Sequence, residues 1–329
     1  MNKRFKILSL DGGGVRGYLS IKILENAEKH LNNKDRKNIP IGLRFDLIAG
    51  TSTGAIIASL LAKGLSAKEV SEIYESSMKK VFKKRNLFTR YFQSTYSSEE
   101  LEKIVLNEFT ESNVKLTLDN LERDLLITSF DLNTFQPKVF KSKYSVKNNI
   151  DYYVSDVIMA STAAPSFFPA YCKIETEKNG IFIDGGVIAN NPSLIALIDS
   201  QHFNRISKEG TLAPESLKSI SLLSIGTGKY IQPLDLRALK NGFKLDWAIN
   251  FLKGISPIKE VLFSSQEALE ESKVRLLSEV EGVLYKRINP ILKEEVKLDD
   301  VDKMNSLDKY TSIEEHIQDL EKIIIEDEK

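Results

Sequence analysis

The sequence predicts an α/β fold, with helices packed on a central sheet and the functional site at one edge of that sheet. Three observations carry the prediction. Four short apolar runs each stop at a glycine-rich turn. The turns lead toward loops or segments with helical periodicity. The runs are spread from about residue 5 to residue 228 with no internal repeat or low-complexity linker between them.

Taken in order, Phe5 to Leu10 is an apolar run that stops at Asp11 and three glycines, so it reads as a strand entering a sharp turn. Leu19, Ile23, Ala27 and Leu31 then recur at helical spacing. Phe45 to Ala49 is a second strand, closed by Gly50, and Ala55 to Leu61 is apolar enough for a helix buried on all sides. Ser66 and Glu69 form a capping box that opens a further helix. Leu125 to Phe130 and Lys138 to Phe140 read as strands, as does Ile181 to Ile183, which ends at Asp184-Gly185-Gly186. Asn191-Pro192 opens a helix, where the missing proline N–H is harmless. Ile220 to Ile225 is the fourth run, ending at Gly226-Thr227-Gly228. Ser264 to Val280 has a helical pattern among charges, and residues 293–329 hold 13 acidic residues against 6 lysines, which predicts a solvated, helical tail.

Composition narrows the function classes. The 329 residues carry 46 Lys+Arg against 46 Asp+Glu, a net charge of zero that argues against a dedicated nucleic-acid binder. Cys172 is the sole cysteine, so no intramolecular disulfide and no cysteine-based zinc site is expected. His30, His202 and His316 are far apart in sequence, which argues against a histidine-rich metal site. There is no apolar stretch of roughly 20 residues and no signal-peptide pattern. A soluble, cytoplasmic protein is therefore the expectation.

Two glycine loops carry chemistry. Gly12, Gly14 and Gly17 of Asp11-Gly12-Gly13-Gly14-Val15-Arg16-Gly17 fit G-x-G-x-x-G between a strand and a helix. Such a loop can cradle a pyrophosphate, stabilise an oxyanion with its N–H groups, or simply turn the chain. A dinucleotide site also needs an acidic residue at a second strand end about 20 positions on. Here that stretch is a polar linker, residues 32–38, so a nucleotide-binding module is the weaker alternative. Gly50-Thr51-Ser52-Thr53-Gly54 fits G-x-S-x-G between a strand and a helix, the setting that pushes a nucleophilic hydroxyl out of a tight turn.

Ser52 needs a base. His202 and His316 follow it in the chain and could complete a Ser-His-Asp esterase, but both stand in helical patterns typical of surface histidines. Asp184, at a strand end beside Gly185 and Gly186, can take the proton directly if held within hydrogen-bond reach. A turn-closing or helix-capping role for Asp184 is equally open at this point.

Together these segments resemble the patatin-like phospholipase family. The matching residues are the two glycine loops, Asp184-Gly185-Gly186, Ser161 to Pro169, Asn190-Asn191-Pro192 and Leu223 to Gly228. The resemblance covers about residues 5 to 290 and implies a three-layer α/β/α sandwich of the patatin type, with a charged helical C-terminal extension at 291–329 outside it. It implies a catalytic dyad of Ser52 as nucleophile and Asp184 as base. The oxyanion hole would come from the N–H groups of Gly13 and Gly14, in a loop shaped by Gly12, Arg16 and Gly17. Gly50, Gly54, Gly185 and Gly186 would shape the other motifs. The implied chemistry is hydrolysis of glycerolipid acyl esters through an acyl-serine, with no metal or cofactor and with membrane phospholipid or another glycerolipid as substrate. Some bacterial members of the family are membrane-degrading effectors that stay quiet until a small-molecule or protein activator switches them on, and the acidic tail leaves room for such control.

Lipid chemistry asks for transient, peripheral contact with a membrane. Residues 79–92 hold six basic residues and no acidic one, interleaved with aromatics. Lys83, Lys84, Arg85, Phe88 and Phe92 are the expected docking residues, since cations attract anionic headgroups and aromatics settle at the interface. Phe243 to Ile255, with Trp247, is a second apolar stretch, for which core packing is the expectation.

Overall fold

The computed structural model describes residues 4–82, 95–142, 150–174, 176–177, 179–201, 216–231 and 257–325, with the side chains of 257–263 left aside. Lys83, Lys84, Arg85, Phe88, Phe92, His202 and Phe243 to Ile255 lie outside the described residues.

The strands are β1 (Phe5–Leu10), β2 (Leu47–Thr51), β3 (Thr110–Glu111), β4 (Val114–Lys115), β5 (Asp124–Asp131), β6 (Gln136–Lys141), β7 (Phe182–Asp184), β8 (Ile220–Ile225) and β9 (Leu284–Ile288). The helices are α1 (Gly17–Asp35), α2 (Thr53–Ala62), α3 (Ala67–Val81), α4 (Glu99–Glu108), α5 (Val154–Ser161), α6 (Gly186–Ala189), α7 (Ser193–Ser200), α8 (Pro257–Glu281) and α9 (Ile317–Ile324). The main sheet has the order β6-β5-β2-β1-β8-β9, with β7 also on β5. β5, β2, β1, β8 and β9 run parallel, whereas β6 and β7 are antiparallel to β5.

The central strands are apolar on both faces, and alternation sorts their side chains into two layers. Leu8, Leu10, Ile48, Leu223 and Ile225 face a large core that also holds residues of α1, α2, α3, α4 and α5. Phe5, Ile7, Leu47, Ala49, Ile220 and Leu222 face a smaller core closed by Ala196 and Leu197 of α7 and Val274 of α8. The result is the expected three-layer α/β/α sandwich.

Small departures from the sequence reading have local causes. The second strand starts at Leu47 rather than Phe45, because the 3-10 turn Ile41–Arg44 runs up to Phe45 and Asp46 accepts the N–H of Lys6 through its side chain. Strand β7 starts at Phe182, leaving Ile181 outside it, and Pro192 caps α7 rather than standing inside it. The capping box at Ser66 and Glu69 is present.

The expectation of a solvated tail fails on the apolar side of that segment. Met304, Leu307, Leu320, Ile323 and Ile324 are buried in the larger core. Buried Lys6 of β1 donates from Nζ to the carbonyl of Ile324 at 2.6 Å, and Tyr18 of α1 donates to Asp308 at 2.9 Å. The described acids of this segment are exposed or half-buried, so charge lies on the side away from these inward-facing residues.

Candidate active site

The register of β5 brings the two halves of the site together. Along one edge of β5, strand β2 pairs as far as Thr51 opposite Thr128. From the next residue, Ser129 opposite Asp184, the same edge is taken by β7 running the other way. The two strands therefore meet end to end, and the residue after β2 is Ser52. Its hydroxyl donates to Asp184 Oδ2 at 2.5 Å, across 132 positions of sequence.

Ser52 sits at φ 54°, ψ −121°, a left-handed conformation rarely adopted by a residue with a side chain. The turn projects its hydroxyl away from the strand, and α2 starts at the following residue with its N-terminal end at the site. Gly54 permits the close approach: a Cβ there would stand 2.3 Å from the carbonyl oxygen of Leu10. Gly50 lies directly against Gly54 across the turn, and Gly185 against Thr128 of β5.

Asp184 is buried, and burial pushes its carboxyl up to about 6, against the opposing effects of the Ser52 hydroxyl and the Gly186 N–H. Its other oxygen accepts that N–H at 2.7 Å, so Gly186 fixes the carboxylate plane. The backbone of Asp184 is held in turn by Ala163, whose carbonyl accepts its N–H at 3.0 Å.

The first glycine loop lies against this pair, a Cβ on Gly12 falling 3.2 Å from Ser52 Cβ. Most of its N–H groups are engaged. Gly12 donates to the carbonyl of Asn190, Val15 to that of Leu298 and Arg16 to that of Gly13. Gly17 donates to the carbonyls of Gly14 and Val15. The N–H groups of Gly13 and Gly14 have no acceptor among the described residues. Gly14 has φ +55°, and a Cβ there would also collide with the Leu298 carbonyl oxygen at 2.1 Å. Tyr74 of α3, fully buried, donates to the carbonyl of Gly14 and meets Thr53, which ties the loop to the first turn of α2.

Three supports were not legible as such in the sequence. Ser161, buried at the end of α5, accepts the N–H of Ser52 at 2.9 Å and so holds the backbone of Ser52 in its strained turn. Asp11, at the root of the glycine loop, makes a two-pronged ion pair with Arg287 of β9, both 2% exposed. Burial works against the charge of Arg287, and Asp11 and Glu267 more than offset it, holding the guanidinium well above its usual range. Leu298 contributes its carbonyl to Val15. Leu284–Ile288 reads Leu-Tyr-Lys-Arg-Ile, and a basic pair within so short a strand was the available signal for Arg287; nothing in the sequence pointed to Leu298.

The remaining candidate base lies elsewhere. His316 stands among Lys286, Glu315 and Asp319, and burial lowers its pKa. No helix among the described residues is long and apolar enough to cross a membrane.

This arrangement can activate a hydroxyl and, with two free N–H groups nearby, stabilise a developing oxyanion. The sequence is similar to those of known proteins. "Patatin-like protein 4" of Arabidopsis thaliana is 30% identical over 95% of this chain and 83% of its own. Two proteins named "cGAMP-activated phospholipase" are similar over a shorter range. The one from Escherichia coli is 34% identical over 68% of this chain and 62% of its own, and the one from Vibrio cholerae is 31% identical over 69% and 65%. A family model described as patatin-like phospholipase matches residues 8–197, a span that holds both glycine loops and Asp184. On these grounds the chain belongs to the patatin-like phospholipase family, a family of lipid hydrolases.

Proposed function

We propose that this protein is a lipid acyl hydrolase of the phospholipase A type, cleaving glycerolipid acyl esters with Ser52 as nucleophile and Asp184 as general base. The observation that carries the reading is the 2.5 Å hydrogen bond from Ser52 Oγ to a carboxylate that is buried and aligned by Gly186. Ser52 Oγ attacks the acyl carbonyl carbon while its proton passes to Asp184. The carbonyl oxygen becomes an oxyanion facing the N–H groups of Gly13 and Gly14. Collapse breaks the ester bond, and the departing glycerol oxygen takes the proton from Asp184. Water then attacks the acyl-serine while Asp184 again accepts the proton; collapse breaks the bond to Ser52 Oγ, Asp184 returns the proton to that oxygen, and the fatty acid leaves.

Ser52 Oγ donates to Asp184 and to no histidine among the described residues, which favours the dyad over a Ser-His-Asp triad. The test is acyl release from mixed phospholipid vesicles. Ser52→Ala and Asp184→Asn should each lower the rate at least about a hundredfold, the scale of losing a nucleophile or its base. Full activity in either variant overturns the dyad. The names of the two bacterial relatives motivate a second arm with a cyclic dinucleotide added, because an enzyme awaiting a small-molecule activator is silent without it. Labelling of Ser52 by a fluorophosphonate separates a silent but competent site from an inert one.

A further inference from the structure

The sheet edge that carries Ser52 continues beyond the ends of β8 and β9 as a short two-stranded ribbon. Gly226 donates to the carbonyl of Ile288 at 2.8 Å, Lys229 to that of Pro290 at 2.9 Å, and Leu292 to that of Lys229 at 2.9 Å. Lys229 and Ile291 are thus partners in a parallel bridge. Side chains alternate along such a ribbon, and here the alternation divides it cleanly. Leu292 is buried in the larger core and Tyr230 packs against it. Lys229, Ile231, Ile291 and Lys293 are exposed, with Ile231 and Ile291 showing 68% and 67% of their surface.

One exposed isoleucine is ordinary. Two on the exposed sides of segments joined by the Lys229–Ile291 bridge, beside the site, offer apolar surface that asks for a partner. The ribbon borders the glycine loop, since Thr227 donates to the carbonyl of Gly12 at 3.1 Å. β8 is two strands from β2, so its near strand lies about 10 Å across the sheet from Ser52. Leu298, whose carbonyl holds Val15, adds a side chain that is 40% exposed.

Charge says what kind of partner fits. Lys229, Lys293 and Lys297 are all exposed, and none has a carboxylate within ion-pair distance among the described residues. Nearby acids are engaged: Glu294 by Lys309 and Asp299 by the Tyr96 hydroxyl, while Glu295 is half-buried.

We propose that the ribbon of residues 229–231 and 291–293 is the surface by which this protein docks on an anionic lipid bilayer. The isoleucines enter the interface and the lysines meet headgroup phosphates. The proposal rests on the lipid-hydrolase reading and adds to it where on the molecule the bilayer sits.

Binding is tested by co-sedimentation, in a Ser52→Ala background so that lipid is not consumed, with vesicles of phosphatidylcholine alone or with added phosphatidylglycerol. Wild-type surface residues should bind the anionic vesicles. The pairs Ile231→Glu with Ile291→Glu, and Lys229→Glu with Lys293→Glu, should each weaken binding about tenfold or more. With Ser52 restored, fluorophosphonate labelling and hydrolysis of a water-soluble short-chain ester should be unchanged. If a glutamate pair disturbs folding, Ile231→Ser with Ile291→Ser and Lys229→Gln with Lys293→Gln decide the matter. Unchanged vesicle binding in these variants, or no binding by the parent protein, overturns the proposal. So does a dimer that the isoleucine variants break while vesicle binding persists, because the patch then covers a second copy. Loss of docking in a chain that neither hydrolyses an ester nor takes the fluorophosphonate leaves the surface standing and removes the catalytic reading instead.

Discussion

Asp184 does two things that compete at the level of a single side chain. Burial raises its affinity for a proton, which makes it a better base, and also leaves it protonated at mildly acidic pH. With the carboxyl at about 6, only the ionised form can accept the proton of Ser52. The rate on a soluble ester should therefore climb about tenfold per pH unit below 6 and level off above it. A pH profile of kcat/KM checks this, and a flat profile between pH 5 and 7 assigns the base elsewhere (the window follows from the ionisation of one group). Ser52 turns its hydroxyl toward Asp184 at the cost of a backbone conformation that is unfavourable by about 1–3 kcal/mol. The hydrogen bond that Ser161 accepts from its N–H helps hold it there. Both residues of the proposed dyad were legible in the sequence because each stands in its own short motif of glycines. Ser161 was visible only as part of a longer matching segment, since a serine at a helix end has many ordinary reasons to be there.

Among the elements, β5 has the organising role, because one of its edges serves two strands in succession and joins Ser52 to Asp184 through backbone pairing alone. The strands themselves were readable from apolar runs and glycine stops. Their order in the sheet was not, because register depends on partners far apart in the chain. β9 shows this most sharply. It lies 276 residues from the loop it supports, and the Arg287–Asp11 pair is the link. Arg287→Met should destabilise the protein by about 3–5 kcal/mol, since Asp11 is then left buried with its main partner gone. Denaturant unfolding measures the loss. A change near zero would show that Asp11 finds its partners elsewhere.

At the scale of the whole molecule, the segment after residue 290 belongs to the packing of the first strands and helices. Its sequence advertises charge, and counting charges hides the apolar positions that alternate with them. Met304 is fully buried in the larger core, so Met304→Ala should lower stability by about 2–5 kcal/mol. Thermal unfolding reads the effect, and a loss within error would place Met304 outside the cooperative unit.

The Val15–Leu298 hydrogen bond gives this architecture a timetable. Chains are made from the N-terminus, and early segments begin to fold as they emerge. Ser52 and Asp184 are both synthesised while the acceptor that fixes the glycine loop does not yet exist. A nascent chain thus carries the proposed nucleophile and base before the proposed cradle for their charge is complete. A chain stalled or clipped before Leu298 carries Ser52 and Asp184 of the proposed dyad but lacks one tie of the glycine loop, the acceptor of the Val15 N–H, while the partners of its ties to Asn190, Tyr74 and Thr227 are already made.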